Sequence, residues 1–191
     1  LLTIFISHPA HAAGPLNLAG AGGSTPVTYP SGGSSIVLNY DQGALGTRTN
    51  AQIDTLVNNA IGLWNGVTTS TINITQGTDI PVDVDASNFT TYLNNTSDGL
   101  NPVIYDTDGS IIDAVFGVGQ SNSILGFAGS AYFVSTATFV EGRAVINGKL
   151  SISDAVLTVV FAHEFGHFFG LDHTQLDSTQ GVPSSNFPLM Y

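Results

Sequence analysis

The spacing of apolar residues from Asn50 to Trp64 predicts the first helix of the chain. Ile53, Leu56, Val57, Ala60, Ile61 and Trp64 fall at i, i+3, i+4, i+7, i+8 and i+11, one stripe of an amphipathic helix. Thr49 or Asn50 can cap its start, and Gly66 stops it. Upstream, SIVLNY (35–40) has the β-branched content of a strand, and downstream strand-like runs at 71–75, 103–105, 131–135 and 138–146 are separated by turn residues. The last regular element starts after Ser153, a good N-cap, and runs through AVLTVVFAHEFGHFF to Gly170. Its first half is apolar on every side, which places it inside the domain. Polar residues arriving abruptly at His163, Glu164 and His167 then need a partner that compensates for their burial. Strand, helix, several strands and a final helix make an α/β chain of one domain.

Composition changes the picture at the start of the chain. LLTIFISHPAHAAG opens with an apolar run from Leu1 to Ile6, and Ala10-His11-Ala12 offers a small-x-small cleavage site. Residues 1–12 are therefore expected to be the remnant of a secretory signal peptide, with a buried N-terminal strand as the competing reading. Residues 13–33, rich in Gly, Pro, Ser and Ala without periodicity, read as a flexible leader. No later segment approaches the roughly 20 apolar residues that span a bilayer, so the expected product is secreted and extracellular, without a membrane span.

Charge and cysteine content exclude several classes of function. Hydrophobic residues make up 42% of the 191 and charged ones only 9%, a composition that folds rather than staying disordered. Three basic residues against fourteen acidic ones leave a net charge of -11, which repels nucleic acid and anionic lipid. With no cysteine, a disulfide scaffold, a thiolate metal site and a cysteine nucleophile are all excluded, so any metal must be held by nitrogen and oxygen.

That requirement leads to HEFGHFFGLDH (163–173). His163 and His167 are four residues apart, on one helical face and about 6 Å apart at the backbone, which suits two ligands of one zinc ion. Gly170 lets the chain leave the helix with positive φ, and His173 can swing back as the third ligand while a fourth position stays open for water. Glu164, beside His163 but directed to the substrate side, can take the proton of the attacking water and pass it to the leaving amine. The other histidines, His8 and His11, lie in the expected signal. Three histidines that merely satisfy core hydrogen bonds are the plain alternative, and the full eleven-residue spacing argues against it.

HEFGHFFGLDH is similar to the H-E-x-x-H-x-x-G-x-x-H signature of the metzincin zinc peptidases. Thr174 directly after it resembles the Ser or Thr of matrixins, and PLMY (188–191) resembles the matrixin Met-turn. The resemblance implies a twisted, mixed and mostly parallel sheet with a backing helix and an active-site helix across residues 34–191, truncated just after the Met-turn. It implies one catalytic Zn2+, a floor beneath it formed by Met190, a polypeptide substrate and a monomer. GFAGSAYF (126–133) falls where the family's edge strand lines the cleft and binds an extended peptide by strand addition. The histidines that hold a second zinc in matrixins have no counterpart between Asn101 and Ser130, so a single zinc is expected. DTDGSIID (106–113) places Asp106, Asp108 and Asp113 around a turn that could wrap Ca2+, or could be a solvated Asp-Gly turn. The activity expected is hydrolysis of internal peptide bonds. The alternatives are a zinc- or calcium-binding adhesive module without proteolysis, or a zinc hydrolase of non-peptide amides; Glu164 favours catalysis, since a structural site needs no base.

Overall fold

The computed structural model describes residues 14–173 and Met190. The expected signal remnant, Thr174 and the other residues of PLMY lie outside the described residues.

A five-stranded sheet forms the frame. In chain order its strands are β3 (Ile36–Tyr40), β4 (Ile74–Gln76), β5 (Pro102–Asp106), β6 (Gly126–Phe133) and β7 (Thr138–Asn147), arranged in space as β4-β3-β5-β7-β6. All neighbours are parallel except β6, which runs antiparallel to β7 at the edge. Two further strands, β1 (Leu18–Ala19) and β2 (Thr25–Pro26), make a small antiparallel ribbon. The helices are α1 (Asn50–Asn65), α2 (Phe89–Asn94), α3 (Ser110–Phe116) and α4 (Asp154–Phe168).

Side chains alternate across the sheet because the strand period is two. Val103, Tyr105, Ala144 and Ile146 join Ile53, Val57, Ala60, Leu157, Phe161 and Phe165 of α1 and α4 in the main core. Ile104 and Val145 face the other way and pack with Ile80, Val84 and Ile111. Both faces are thus covered, as a mostly parallel sheet requires. The buried residues of α1 are those of the stripe read from sequence, with Trp64 packed at its margin and its indole N–H donating to the Ala162 carbonyl at 2.8 Å. Thr49 takes the N-cap position, its backbone N–H donating to the Gln52 side chain at 2.9 Å. The guanidinium of Arg48 pairs with Asp154 at 2.7 Å and ties the start of α1 to the start of α4.

Three expectations change. Residues 14–33, read from composition as a flexible leader, are built into the domain: Ala19 and Val27 are buried with Ala137 and Phe139, and Thr28 pairs with the start of β7. Composition says nothing of main-chain hydrogen bonds, and these are what hold the segment. The amino-terminal half of α4 is not buried all round, since Val156 and Val159 face solvent at 47% and 51% exposure. Only one side of α4 meets the sheet and α1. Finally, the two short helices α2 and α3 had no periodic signal because neither reaches two turns of amphipathic stripe, whereas β6 spans the GFAGSAYF segment expected at the edge.

Candidate metal centre and active site

Helix α4 presents the site from its last two turns. Ser153 caps its start, its hydroxyl accepting from the Val156 N–H at 3.3 Å. At the other end Gly170 adopts φ 85°, its N–H bonds the His167 carbonyl and the Leu171 N–H bonds the Gly166 carbonyl, each at 2.9 Å. That is a Schellman exit, and it requires the left-handed residue that glycine supplies. The turn brings the Leu171 carbonyl to 2.9 Å from His167 Nδ1, which donates to it. The proton is thereby kept on Nδ1 and the Nε2 lone pair is free to bind a metal.

The three histidines converge. Nε2 of His173 lies 3.2 Å from Nε2 of His167 and 3.2 Å from Nε2 of His163, and the ligand atoms of all three lie within 4.8 Å of one another. Two of these separations match the edge of about 3.3 Å expected for a tetrahedral zinc with Zn–N bonds of about 2.0–2.1 Å. With each ring in the tautomer that leaves Nε2 unprotonated, the three nitrogens aim at one point, where a shared cation suits them. Burial also holds His167 below its usual pKa, which favours the neutral, ligating form. The donor set fits zinc.

Glu164 is 7% exposed, and burial alone pushes its carboxyl up to about 7. It lies under the first residue of the edge strand: a Cβ placed on Gly126 would stand 3.3 Å from Glu164 Cγ. Met190 is buried and packs on Gly166, where an added Cβ would lie 1.9 Å from its sulfur. The three histidines named from sequence are brought together, with Glu164 buried on the same helix and Met190 packed against it, while Gly126, Gly166 and Leu171, which pack on or bond these residues, were not named. A signal existed for Gly166, because a glycine inside an otherwise strong helix costs about 1 kcal/mol and asks for a packing reason.

The aspartates of the 106–113 loop have other partners. Asp106 accepts from the N–H groups of Ile111 and Ile112 at 3.1 and 2.9 Å, Asp108 from Ser110 at 2.9 Å, and Asp113 from Ser121 at 2.8 Å. Asp106 and Asp108 thus satisfy the orphan donors at the start of α3. With Asp83 and Asp85 they line a pocket of about 240 Å³ to which Asp113 does not contribute. Among the described residues the one group of three potential ligands drawn together is the histidine triad.

Sheet, helix and histidine cluster together belong to a zinc metallopeptidase. A sequence model of metallo-peptidase family M12B, reprolysin-like, matches residues 50–174, from the start of α1 to just past His173. The chain belongs to that family and so to the metzincin-type zinc peptidases; the match does not extend to the matrixin subdivision. The family is one of metallopeptidases, and the three convergent imidazoles are a donor set that suits its metal. Among solved structures, metalloproteinase-II from Bacteroides fragilis is similar at 14% identity and a TM-score of 0.40, over 97% of this chain and 52% of that one. The chain therefore spans about half the length of that structure. No curated protein matches it. No helix among the described residues is long and apolar enough to cross a membrane.

Proposed function

We propose that the protein is a secreted endopeptidase that cleaves internal bonds of extended polypeptides, with His163, His167 and His173 as zinc ligands and Glu164 as general base. The observation that carries this reading is a buried Glu164 on the same helix as His163 and His167, whose imidazoles converge with that of His173, packed beneath the first residue of the edge strand. When bound, zinc supplies Lewis-acid polarisation of the scissile carbonyl and lowers the pKa of water. Glu164 takes the proton from the attacking water and delivers it to the departing amine, so the base is regenerated in each turnover. Strand β6 binds substrate as an added antiparallel strand, and Gly126 allows its start to pack closely over Glu164 and Ile146. Met190 closes the floor of the centre in the manner of a matrixin Met-turn. The amino-terminal run Leu1 to Ile6, followed by Ala10-His11-Ala12, supports export.

The test compares the wild type with Glu164→Ala for zinc stoichiometry and for cleavage of a denatured protein substrate. Both proteins are expected to bind one zinc, and the variant to cleave about 10²–10⁴-fold more slowly. Equal cleavage by the two, or an absence of bound zinc in the wild type, refutes the assignment.

A further inference from the structure

The third proposed zinc ligand has little to hold it in place. The side chain of His173 is 59% exposed, so its position comes from its backbone rather than from packing. That backbone is clasped from an unexpected direction. Gly14, Pro15 and Leu16 lie antiparallel to the segment that follows α4: Pro15 bridges Leu171, the Leu16 N–H donates to the Gly170 carbonyl at 2.7 Å, and the Asp172 N–H donates to the Gly14 carbonyl at 2.9 Å. Between the two clasped residues sits Leu171, whose carbonyl orients His167, and directly after them comes His173.

The clasp is anchored at its other end. Gly20 donates to the Val134 carbonyl at the tip of the β6–β7 hairpin at 2.9 Å, and Thr28 exchanges hydrogen bonds with Ala137 and Phe139 at 3.1 and 3.0 Å. Ala19 and Val27 are buried against that hairpin, and Tyr29 stacks on Phe168 of α4 with ring centroids 6.1 Å apart. Residues 14–29 therefore run from the hairpin that carries the edge strand to the loop that carries His173.

We propose that Gly14–Leu16 is a positioning strap for the zinc centre, which fixes residues 170–172 so that the Leu171 carbonyl and His173 are held in ligating geometry. The inference rests on the zinc assignment above. A main-chain partner that orients a ligand acts as part of the outer shell of the metal, and loss of such a partner costs about 10–100-fold in metal affinity. The side chain of Leu16 is 39% exposed, so its contribution comes through its N–H.

The decisive variant is Leu16→Pro, which removes the N–H that bonds Gly170; Leu16→Ala retains it and serves as the control. A third variant lacks residues 1–16. For each, the zinc dissociation constant is measured by competition with a chelator, the visible spectrum is recorded with Co2+ in place of zinc, and hydrogen exchange at the Asp172 amide is followed in metal-free protein. Leu16→Pro and the truncated chain are expected to bind zinc at least 10-fold more weakly, with an altered Co2+ spectrum, faster exchange at Asp172 and wild-type helix content by circular dichroism. Leu16→Ala is expected to match the wild type. Unchanged zinc affinity in Leu16→Pro overturns the strap, as does loss of affinity in Leu16→Ala to the same extent. If the truncated chain does not fold, Leu16→Pro decides alone. A wild type that binds no zinc refutes the zinc assignment itself, and the strap with it.

Discussion

Replacing Gly166 by alanine tests how tightly Met190 is seated on the active-site helix. In an isolated helix the change should stabilise by about 1 kcal/mol, because glycine is a poor helix former and alanine the best. Here the new Cβ would lie 1.9 Å from the Met190 sulfur and 2.7 Å from its methyl, whereas ordinary contact begins near 3.5 Å. The side chain must withdraw by well over an ångström. Met190 is 4% exposed, so withdrawal forfeits most of the roughly 1.5–3 kcal/mol that burying such a side chain contributes. Offsetting the helix gain leaves a net loss of about 1 kcal/mol, or roughly 2–4 °C in Tm for a chain of this size. The assay is thermal unfolding of metal-free Gly166→Ala, Met190→Ala and the double variant. In the Met190→Ala background the space is vacant, and Gly166→Ala should then raise Tm. The sign of its effect thus reverses with the partner, a coupling of about 2 kcal/mol. If Gly166→Ala raises Tm equally in both backgrounds, Met190 does not occupy that seat.

Two further substitutions probe the frame. The carboxylate of Asp41, 1% exposed, accepts from the N–H groups of Gly43, Val84 and Tyr105 at 3.2, 2.9 and 3.0 Å, so Asp41→Ala orphans three buried donors. A loss of about 3 kcal/mol or more is expected in urea unfolding, and a loss below about 1 kcal/mol would contradict this. Both oxygens of Glu141 are buried without a hydrogen-bond partner among the described residues. Burial, with Asp98 adding to it and Arg143 opposing, raises its carboxyl to about 7. The folded chain therefore favours the neutral acid. Stability from this group is complete below the unfolded pKa near 4.5 and is lost as pH rises through about 7. Glu141→Gln should accordingly match the wild type near pH 4 and exceed it in Tm at pH 8; parallel Tm profiles across that range would exclude the account.

The parts of the fold legible in sequence are those with a period or a fixed spacing. The stripe from Ile53 to Trp64 marks α1 because burial on one side of a long helix repeats every 3.6 residues, and HEFGHFFGLDH marks the centre because metal geometry leaves little freedom in spacing. Gly170 was legible for the same reason, since a helix that must release its chain toward a third ligand needs a left-handed residue. What escaped depends on partners distant in the chain. Leu16 bonds Gly170 through its backbone, and nothing in the side chain of Leu16 announces it. Val156 and Val159 are as apolar as Leu157 and Phe161, and only the placement of the sheet decides which of them stay wet. Asp106, Asp108 and Asp113 could be read either as a turn that wraps a cation or as a solvated Asp-Gly turn, and in the structure each accepts from local N–H groups at the start of α3 or of the turn after it. Short polar motifs admit both uses, and geometry alone separates them.

Residues 14–16 hold the segment just after α4 and Met190 packs on its last turn, and this sets an order of events during folding. Such pairings close very long loops, and the entropy of closing them must be met before they contribute stability. On a chain emerging from the ribosome, α1 and the first strands can associate while α4 is still unmade, whereas the packing on Gly166 waits for residue 190. The histidine triad is then among the last features to become rigid. A chain made only as far as β7 has the sheet without the zinc motif, so a metal centre cannot form before α4 and the turn that follows it are in place.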